Sequence, residues 1–295
     1  MIVVTGATGH TGSVVAEKLL AVGEKVRVVG RSADKLQSFV AKGAEAFADD
    51  VTDAAAMTRA FAGADAVYAM IPPSMTEKDF HAYQAGVAES LATAIEKAGV
   101  KHVVALSSIG ADKSEKCGPV TGLHRFEQRL NKLDGINLLH LRPGYFMENL
   151  LQFIGLIKSM GMIAGTLRGD LPIAMIATRD IGFVAAEALA KRDFTGQQTR
   201  ELLGPRDVTM SEAAAIIGRA VGKPKLSFTR LPEMMVKPAM TRMGLSDDVA
   251  RLILEMMEAM NSGWMAPQEP RSPSNSTPTT LETWVEEVFL PAYNA

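Results

Sequence analysis

The sequence has very little cysteine: Cys117 is the only one among 295 residues. A single thiol excludes an internal disulfide and a multi-cysteine metal site, and it is typical of proteins from a reducing compartment. No apolar run is long enough to span a bilayer, and no signal peptide precedes the strand predicted to begin at Ile2. We therefore expect a cytoplasmic protein that holds no metal and does not contact membranes.

The sequence also lacks a large excess of charge of either sign. Its formal net charge is −2 at pH 7, which gives no general electrostatic field for nucleic acid or for an anionic membrane. The hydrophobic fraction of 47% is that of a globular protein. A chain of 295 residues can bury a large core and can form two lobes.

Three glycines at three-residue spacing follow the predicted strand Ile2–Val4, in the stretch V-V-T-G-A-T-G-H-T-G-S. Glycine at the first position permits a tight turn, at the second it lets the backbone approach a pyrophosphate, and at the third it lets the next helix pack closely. The amides and dipole at the start of that helix, predicted over residues 13–22, form an anion site. The predicted phosphate cradle consists of Gly6, Thr8, Gly9, His10, Thr11 and Gly12.

Strands and helices alternate through the first half of the chain. After the first strand, further strands are predicted at 25–29, 44–48, 64–71, 100–107 and 136–141, with helices at 33–42, 54–62, 76–98 and 122–133. Such alternation with nearly continuous apolar strands predicts an α/β fold with a doubly wound parallel sheet and a ligand crevice at the strand carboxyl ends. We predict a dinucleotide-binding domain over residues 1–150 and a smaller, mostly helical lobe over 151–295, partly interleaved with the first.

The chain resembles the NmrA-like proteins, which are atypical members of the short-chain dehydrogenase/reductase superfamily. The glycine loop, the L-S-S-I-G that ends the fifth strand and the later L-R-P-G-Y-F-M-E-N carry the resemblance. It covers the first 150 residues well and is thin after about residue 200. It implies a Rossmann domain that binds NAD(P), and its known members include reductases of quinones and dyes, epimerases, and regulators that sense the cofactor without chemistry.

The end of the second predicted strand indicates which cofactor is preferred. NAD sites usually place an acidic residue there for the ribose 2′-hydroxyl, but this strand ends V-V-G-R-S. Arg31, with Lys35 close by, suits a 2′-phosphate, so NADP is favoured and NAD stays possible. The resemblance assigns the adenine end to Asp50 and Val51, although Asp50 is equally well interpreted as a turn residue. The wall beside the ribose is predicted to consist of Ala69, Met70 and Ile71.

The residues expected to carry catalysis in this superfamily are only partly present. The resemblance implies a Ser, a proton-donating Tyr and a Lys that lowers the pKa of the Tyr. Ser107 or Ser108 occupies the Ser position, but the Tyr and Lys positions fall at Pro119 and Leu123. Three explanations stay open: an acceptor that needs little acid catalysis, a substitute acid, or no catalysis at all.

Two residues are candidates to replace the missing Tyr as the acid, and the turn after the sixth strand is predicted to form part of the pocket. His124 lies on the expected helix and carries an imidazole, the side-chain type used most often for proton transfer at neutral pH, and Tyr145 lies on the loop after the sixth strand. Pro143 and Gly144 are predicted to shape the pocket over the nicotinamide. Cys117 is expected to be a surface thiol, with a lowered pKa as the alternative because Lys113 and Lys116 are near in sequence.

Eight methionines are concentrated between residues 234 and 265. Most are expected to lie in the core, but some could form an adaptable lid over a planar aromatic substrate. The favoured interpretation is an NADP(H)-dependent oxidoreductase that transfers hydride to an apolar, aromatic or quinone-like small molecule. A non-catalytic NADP(H)-sensing regulator with a protein partner and an NAD(P)-dependent epimerase are the alternatives, and a homodimer is possible.

Overall fold

The computed structural model describes all 295 residues and is built around a seven-stranded parallel sheet. Strands are numbered along the chain, and their order across the sheet is β10-β6-β5-β4-β1-β2-β3. This is the predicted doubly wound fold, because the chain moves outward from β1 in one direction and then crosses over to continue in the other. The strands are β1 Ile2–Val4, β2 Val26–Gly30, β3 Glu45–Ala48, β4 Ala66–Ala69, β5 His102–Leu106, β6 Asn137–Pro143 and β10 Gln197–Leu202.

Helices cover both faces of this sheet. Side chains alternate between faces along each strand, so Ile2 and Val4 of β1 join one apolar core and Val3 joins the other. One face is covered by α1, α2 and α7, and the other by α3, α4 and α5. Their bounds are α1 His10–Ala21, α2 Ala33–Val40, α3 Ala54–Phe61, α4 Phe80–Ala98, α5 Pro119–Leu130 and α7 Thr178–Lys191.

The chain returns to this sheet after residue 150. Helix α7 packs against α1, and the edge strand β10 pairs with β6 in parallel register, with Gln197 opposite Leu138. The apolar residues 181–191 predict a helix, and the structure has it as α7, beginning three residues earlier at Thr178. No strand is predicted at the position of β10. The first four residues of β10 are polar and exposed, as suits a sheet edge, and therefore they do not show the apolar run of a central strand.

A second lobe surrounds its own apolar core, which includes Trp284 and Phe289. It contains two small sheets that the sequence analysis did not predict. One has the order β11-β9-β7 and the other pairs β12 with β8. Its elements are β7 Tyr145–Phe146, a 3-10 helix Met147–Phe153, α6 Ile154–Met160, β8 Ile163–Gly165, β9 Ile173–Ile176, β11 Asp207–Val208, α8 Met210–Ala220, β12 Phe228–Arg230, α9 Glu233–Arg242, α10 Asp247–Asn261, α11 Leu281–Trp284, a π-helical turn Val285–Phe289 and α12 Leu290–Asn294.

Residues 267–280 are rich in Pro, Ser and Thr, a composition that predicts an exposed loop, but in the structure hydrogen bonds hold this stretch against the rest of the protein. The buried carboxylate of Glu201 accepts hydrogen bonds from the amides of Gln268 and Glu269. The buried carboxylate of Asp180 accepts from the amide of Thr279 at 3.0 Å and from its hydroxyl at 2.7 Å. These bonds satisfy backbone groups that the irregular chain cannot pair within itself. No helix combines the length and apolar character needed to cross a bilayer.

Candidate active site

The glycine loop between β1 and α1 leaves no room for side chains. Gly6 has a φ of +64°, the left-handed conformation that glycine adopts without strain, and a Cβ there would lie 2.5 Å from Sδ of Met70. A Cβ at Gly12 would lie 2.3 Å from the carbonyl oxygen of Gly6, so this glycine permits close packing of α1 on the loop itself rather than on the sheet. The amide of Gly9 donates to the carbonyl of Gly6 at 2.9 Å.

The first amides of α1 are available to an anion. The helix begins at His10, three residues earlier than predicted, and Gly9 at its N-cap offers no side-chain hydrogen bond. The first turn contains no acidic residue. Since the first amides of a helix lack partners within the helix, those at its start and the positive end of its dipole can bind a phosphate. Thr8 and His10 are exposed beside this position.

Two threonines of the loop have structural hydrogen bonds. Thr11 was predicted to bind the cofactor, but its buried hydroxyl accepts a hydrogen bond from the hydroxyl of Tyr68 at 3.0 Å. The hydroxyl of Thr5 donates to the carbonyl of Tyr68 at 2.9 Å and accepts from the amide of Met70 at 3.2 Å. Sequence reasoning missed Thr5, whose position directly after β1 was the only available signal. These bonds hold the end of β4 beside the glycine loop.

The predicted ribose wall at the end of β4 is mostly interior. Ala69 and Ile71 are buried in the core beneath α3 and α4. Met70 is half-buried, and its thioether lies over Gly6. Met70 is therefore the member of this group that lies against the phosphate loop.

Arg31 is exposed at the end of β2 and has no carboxylate partner. Two other arginines in this region do have partners: Arg27 pairs with Glu45 at 2.8 Å, and Arg59 pairs with Asp49 at 3.7 Å. Lys35 is also exposed and forms no ion pair; its amide donates to the N-cap Ser32 of α2, and its ammonium group has no partner. An unpaired guanidinium and an unpaired ammonium group thus lie four residues apart in the sequence, on either side of this N-cap, which suits a doubly charged phosphate.

Asp50 is held in a local turn. One oxygen of its carboxylate accepts from the amide of Thr52 at 2.9 Å and from the hydroxyl of Thr52 at 2.8 Å. The two hydrogen bonds from Thr52, and to a smaller extent the charge of Arg31, lower the pKa of Asp50 against the opposing effect of burial. Val51 beside it is buried. In the structure Asp50 is therefore a turn residue, as the second interpretation of the sequence predicts.

Ser107 directly follows β5, and its side chain belongs to a hydrogen-bonded chain that continues through Glu127 to Arg142. Its hydroxyl donates to the Glu127 carboxylate at 2.5 Å, and the same carboxylate takes two bonds from Arg142. The hydroxyl of Ser108 donates to the carbonyl of Ile109 at 2.9 Å. Sequence reasoning did not assign a role to Glu127 or Arg142, because nothing local links them to Ser107.

The two substitute acids differ in what surrounds them. Nδ1 of His124 lies 2.8 Å from the carbonyl oxygen of Ala111, and since a carbonyl only accepts, Nδ1 carries the hydrogen. Nε2 is then left to exchange a proton. Burial raises the pKa of the Tyr145 phenol far above its ordinary value, which makes it a poor acid at neutral pH.

The turn after β6 is close to the second lobe. A Cβ at Gly144 would lie 2.2 Å from the carbonyl oxygen of Ala174, so the close approach at this glycine is to β9. The carbonyl of Pro143 accepts from the amide of Ile109 at 3.0 Å. Gly144 and Pro143 therefore join the loop after β5, the loop after β6 and the second lobe.

Cys117 is buried, so the expected surface thiol is wrong. Burial raises the pKa of the Cys117 thiol, and the lysines expected to lower it have acidic neighbours: Lys113 pairs with Asp112 at 2.8 Å and Lys116 with Glu115 at 3.8 Å. The structure brings together no three metal-ligating side chains.

The expectation that most of the eight methionines lie in the core is wrong, because none of them is buried and α9 buries no residue at all. Met256, Met257, Met260 and Met265 are half-buried and pack against apolar clusters at their edges. Met234 is 82% exposed and Met243 is 71% exposed. Met265 is half-buried and covers Gly110, where a Cβ would lie 2.5 Å from its Cγ. Met265 is therefore a neighbour of the β5 loop that sequence reasoning did not single out.

A cavity of about 640 Å³ lies between α9, α10 and the chain around Lys116. Most of its lining is charged, and it includes none of the predicted catalytic or cofactor residues. It is therefore separate from the strand ends where the predicted site lies.

Known proteins of similar sequence identify the family to which this fold and glycine loop belong. The sequence profile of the NmrA-like family matches residues 1–285. A (4-alkanoyl-5-oxo-2,5-dihydrofuran-3-yl)methyl phosphate reductase from Streptomyces griseus is 32% identical over 274 residues, which are 92% of this chain and 90% of that protein. An NAD(P)H azoreductase from Xenophilus azovorans is 29% identical over 256 residues, covering 87% of this chain and 86% of the relative.

A solved structure is also similar along its whole length. The NADPH-dependent quinone oxidoreductase of Escherichia coli, complexed with NADPH, has a TM-score of 0.83 and is 25% identical, covering 98% of this chain and 100% of that chain. The glycine loop, the sheet order and the match over nearly the whole sequence lead to one conclusion. The chain belongs to the NmrA-like family.

Proposed function

We propose that this protein is an NAD(P)H-dependent oxidoreductase that prefers NADPH and reduces a quinone-like or dye-like aromatic acceptor. The observation that carries the proposal is the combination of the glycine cradle with the unpaired guanidinium of Arg31. The relatives support it, since one is an NAD(P)H azoreductase and another is a quinone oxidoreductase complexed with NADPH. Cytoplasmic location, the domain boundary at residue 150 and a homodimer stay predictions.

The residues present fit a dinucleotide. A Cβ at Gly6 would collide with Met70 and one at Gly12 with the Gly6 carbonyl, so the loop keeps this shape only with glycine there, and the uncapped start of α1 suits the diphosphate. Arg31 and Lys35 would hold the 2′-phosphate, with charge-assisted hydrogen bonds that NADH cannot form. When bound, the cofactor supplies a hydride, that is, one hydrogen with two electrons, and the acceptor then needs one proton.

His124 is the side chain best placed to supply that proton. Its Nδ1 is held by the Ala111 carbonyl, so its ring orientation is fixed and Nε2 is free. Ser107 and Ser108 have both committed their hydroxyl hydrogens to acceptors within the protein. Quinones and dyes accept hydride readily, so a modest acid, or water, is sufficient.

Anaerobic mixing of the protein with NADPH and a panel of quinones and azo dyes tests this function. We expect NADPH absorbance to fall with at least one acceptor, faster with NADPH than with NADH. His124→Gln keeps a side chain of similar polarity but cannot exchange a proton, and we expect it to lower kcat and to flatten the pH profile. The control is His81→Gln, a replacement of the same kind on α4. His10→Gln is unsuitable as a control, because the exposed His10 lies at the phosphate cradle.

The second candidate function is cofactor-dependent signalling without chemistry. Pro119 and Leu123 occupy the positions where the superfamily has its Tyr and Lys, and this favours it. Such a regulator would bind NADPH and leave its absorbance unchanged with every acceptor. An epimerase would need a free base beside Ser107, whereas the adjacent carboxylate of Glu127 is paired with Arg142.

A further inference from the structure

The hydroxyl of Ser107 has a fixed direction. Its oxygen lies 2.5 Å from Oε1 of Glu127, the residue as a whole is 3% exposed, and the Glu127 side chain is 2% exposed. A carboxylate paired with a cation can only accept hydrogen bonds. The single hydrogen of the Ser107 hydroxyl therefore points at Glu127.

Arg142 holds Glu127 in that arrangement. Its Nε donates to Oε1 at 2.9 Å, and Nη2 donates to Oε2 at 2.5 Å. The hydrogen bond to Glu127 raises the pKa of Arg142, so the guanidinium keeps its charge. A buried carboxylate with a two-pronged guanidinium partner cannot turn away without leaving a charge unpaired, which is strongly unfavourable.

The main chain fixes Ser107 from the other side. Its amide donates to the carbonyl of Leu141 at 2.8 Å, and the amide of Ile109 donates to the carbonyl of Pro143 at 3.0 Å. These bonds extend the pairing of β5 with β6 past the last residue of β5. The oxygen of Ser107 is thus held in position by two strands and by α5.

We propose that Ser107 acts toward a bound ligand as a hydrogen-bond acceptor only, and that Glu127 is the positioning residue that makes it so. This inference rests on the proposed function and on the ligand crevice expected at the carboxyl ends of the strands, where Ser107 directly follows β5. With its hydrogen committed, Ser107 offers lone pairs and must meet an N–H or O–H of the ligand. Two groups have this chemistry: the carboxamide of the nicotinamide and the hydroxyl of a reduced, hydroquinone-like product.

The carboxamide is tested by binding alone. Calorimetry compares NADP⁺ with its 3-acetylpyridine analogue, in which a ketone replaces the carboxamide and no N–H is available. We expect the wild type to prefer NADP⁺ roughly three- to tenfold, as one hydrogen bond allows, and Ser107→Ala to lose that preference. Glu127→Gln places an amide beside Ser107 and frees its hydrogen, so the preference should shrink or reverse.

The hydroxyl is tested by a second comparison on the same proteins. A hydroquinone and its dimethyl ether compete with the acceptor, and a preference for the hydroquinone that Ser107→Ala abolishes assigns the donor to the product. Glu89→Gln is the matched control. Glu89 also pairs with an arginine, Arg129, but this pair is exposed on the outer side of α4 and α5. Both preferences should survive in that variant.

The outcomes separate the two proposals. If the wild type binds NADP⁺ and both preferences are unchanged in Ser107→Ala, the acceptor role is wrong and the proposed function stands. If the wild type binds neither dinucleotide, the proposed function fails and the acceptor role fails with it. Unchanged melting temperatures would show that Ser107→Ala and Glu127→Gln are folded.

Discussion

Replacing Arg31 by alanine should reduce the preference of the protein for NADPH over NADH, leaving Lys35 to attract the 2′-phosphate. Arg31 is exposed, forms no ion pair and follows β2 directly, so within the protein its removal takes away only the small effect of its charge on Asp50. The loss should therefore be confined to the ligand. A 2′-phosphate is the only group that distinguishes the two cofactors.

The size of the effect follows from the exposure of Arg31. Two unit charges 4 Å apart attract by about 1 kcal/mol in water and about 4 kcal/mol near a protein surface. Because Arg31 is exposed and screened by salt, we take about 1.5–2.5 kcal/mol, or roughly 10- to 70-fold in affinity. NADH should bind the variant within about twofold of the wild type, since its 2′-hydroxyl carries no charge.

Titration calorimetry and steady-state kcat/KM with both cofactors measure the effect. Lys42→Ala is the control, because Lys42 follows the C-terminal end of α2, away from Arg31 at its other end, and pairs with Glu17. Raising the ionic strength should weaken NADPH binding by the wild type more than by the variant. Equal losses for NADH and NADPH, or no loss for NADPH, would refute the assignment of Arg31.

Two further predictions concern stability. Burial lowers the pKa of His140 in the folded protein, whereas its value in the unfolded chain is about 6.5. Below that pH the unfolded state therefore binds more protons than the folded state, and the stability falls as the pH decreases. Urea unfolding at about pH 7.5 and 5.5 should show a smaller pH dependence in His140→Gln than in the wild type, and an equal dependence would contradict this. Burial alone would raise the pKa of Asp248, but the hydrogen bonds from the Phe80 amide and from Arg251 outweigh it and lower the value. Asp248→Ala removes the acceptor of the Phe80 amide and should therefore cost about 1–2 kcal/mol at neutral pH, as lost caps do, and the cost should shrink as the pH falls through the folded pKa. The exposed neighbour Asp247 is the control, and an equal cost in Asp247→Ala would show that the bond to Phe80 contributes nothing.

The parts of the fold that could be predicted are those specified locally. The spacing of the glycines at Gly6, Gly9 and Gly12 predicts the turn between β1 and α1, and the structure has a positive φ at Gly6 and close backbone packing at Gly12. Alternating apolar strands and helices predict the parallel sheet. The start of α1 was placed three residues late because the helix has no polar N-cap, only Gly9.

The parts that could not be predicted depend on partners far away in the sequence. The orientation of the Ser107 hydroxyl is set by Glu127 and Arg142, and neither is a sequence neighbour. The chain around Thr279 has the composition of a loose loop, yet a carboxylate 99 residues earlier, on Asp180, fixes it. Likewise, the spacing of the methionines on α9 cannot reveal that this helix buries none of its residues.

Calorimetric titration of NADPH into the wild type and into Gly9→Ala tests the central claim, which is that the β1–α1 loop binds a dinucleotide diphosphate. Gly9 has a φ of −91°, which alanine adopts readily, and its Cβ would lie 3.3 Å from the carbonyl oxygen of Gly6, so the variant should fold. Gly86→Ala is the matched control, since nothing lies within 4 Å of a Cβ there. We predict that Gly9→Ala keeps its melting temperature and loses NADPH affinity on the order of 100-fold, as loss of close backbone contact with phosphate implies, while Gly86→Ala binds like the wild type. Equal NADPH affinity in all three proteins, or no heat with the wild type, would contradict the claim.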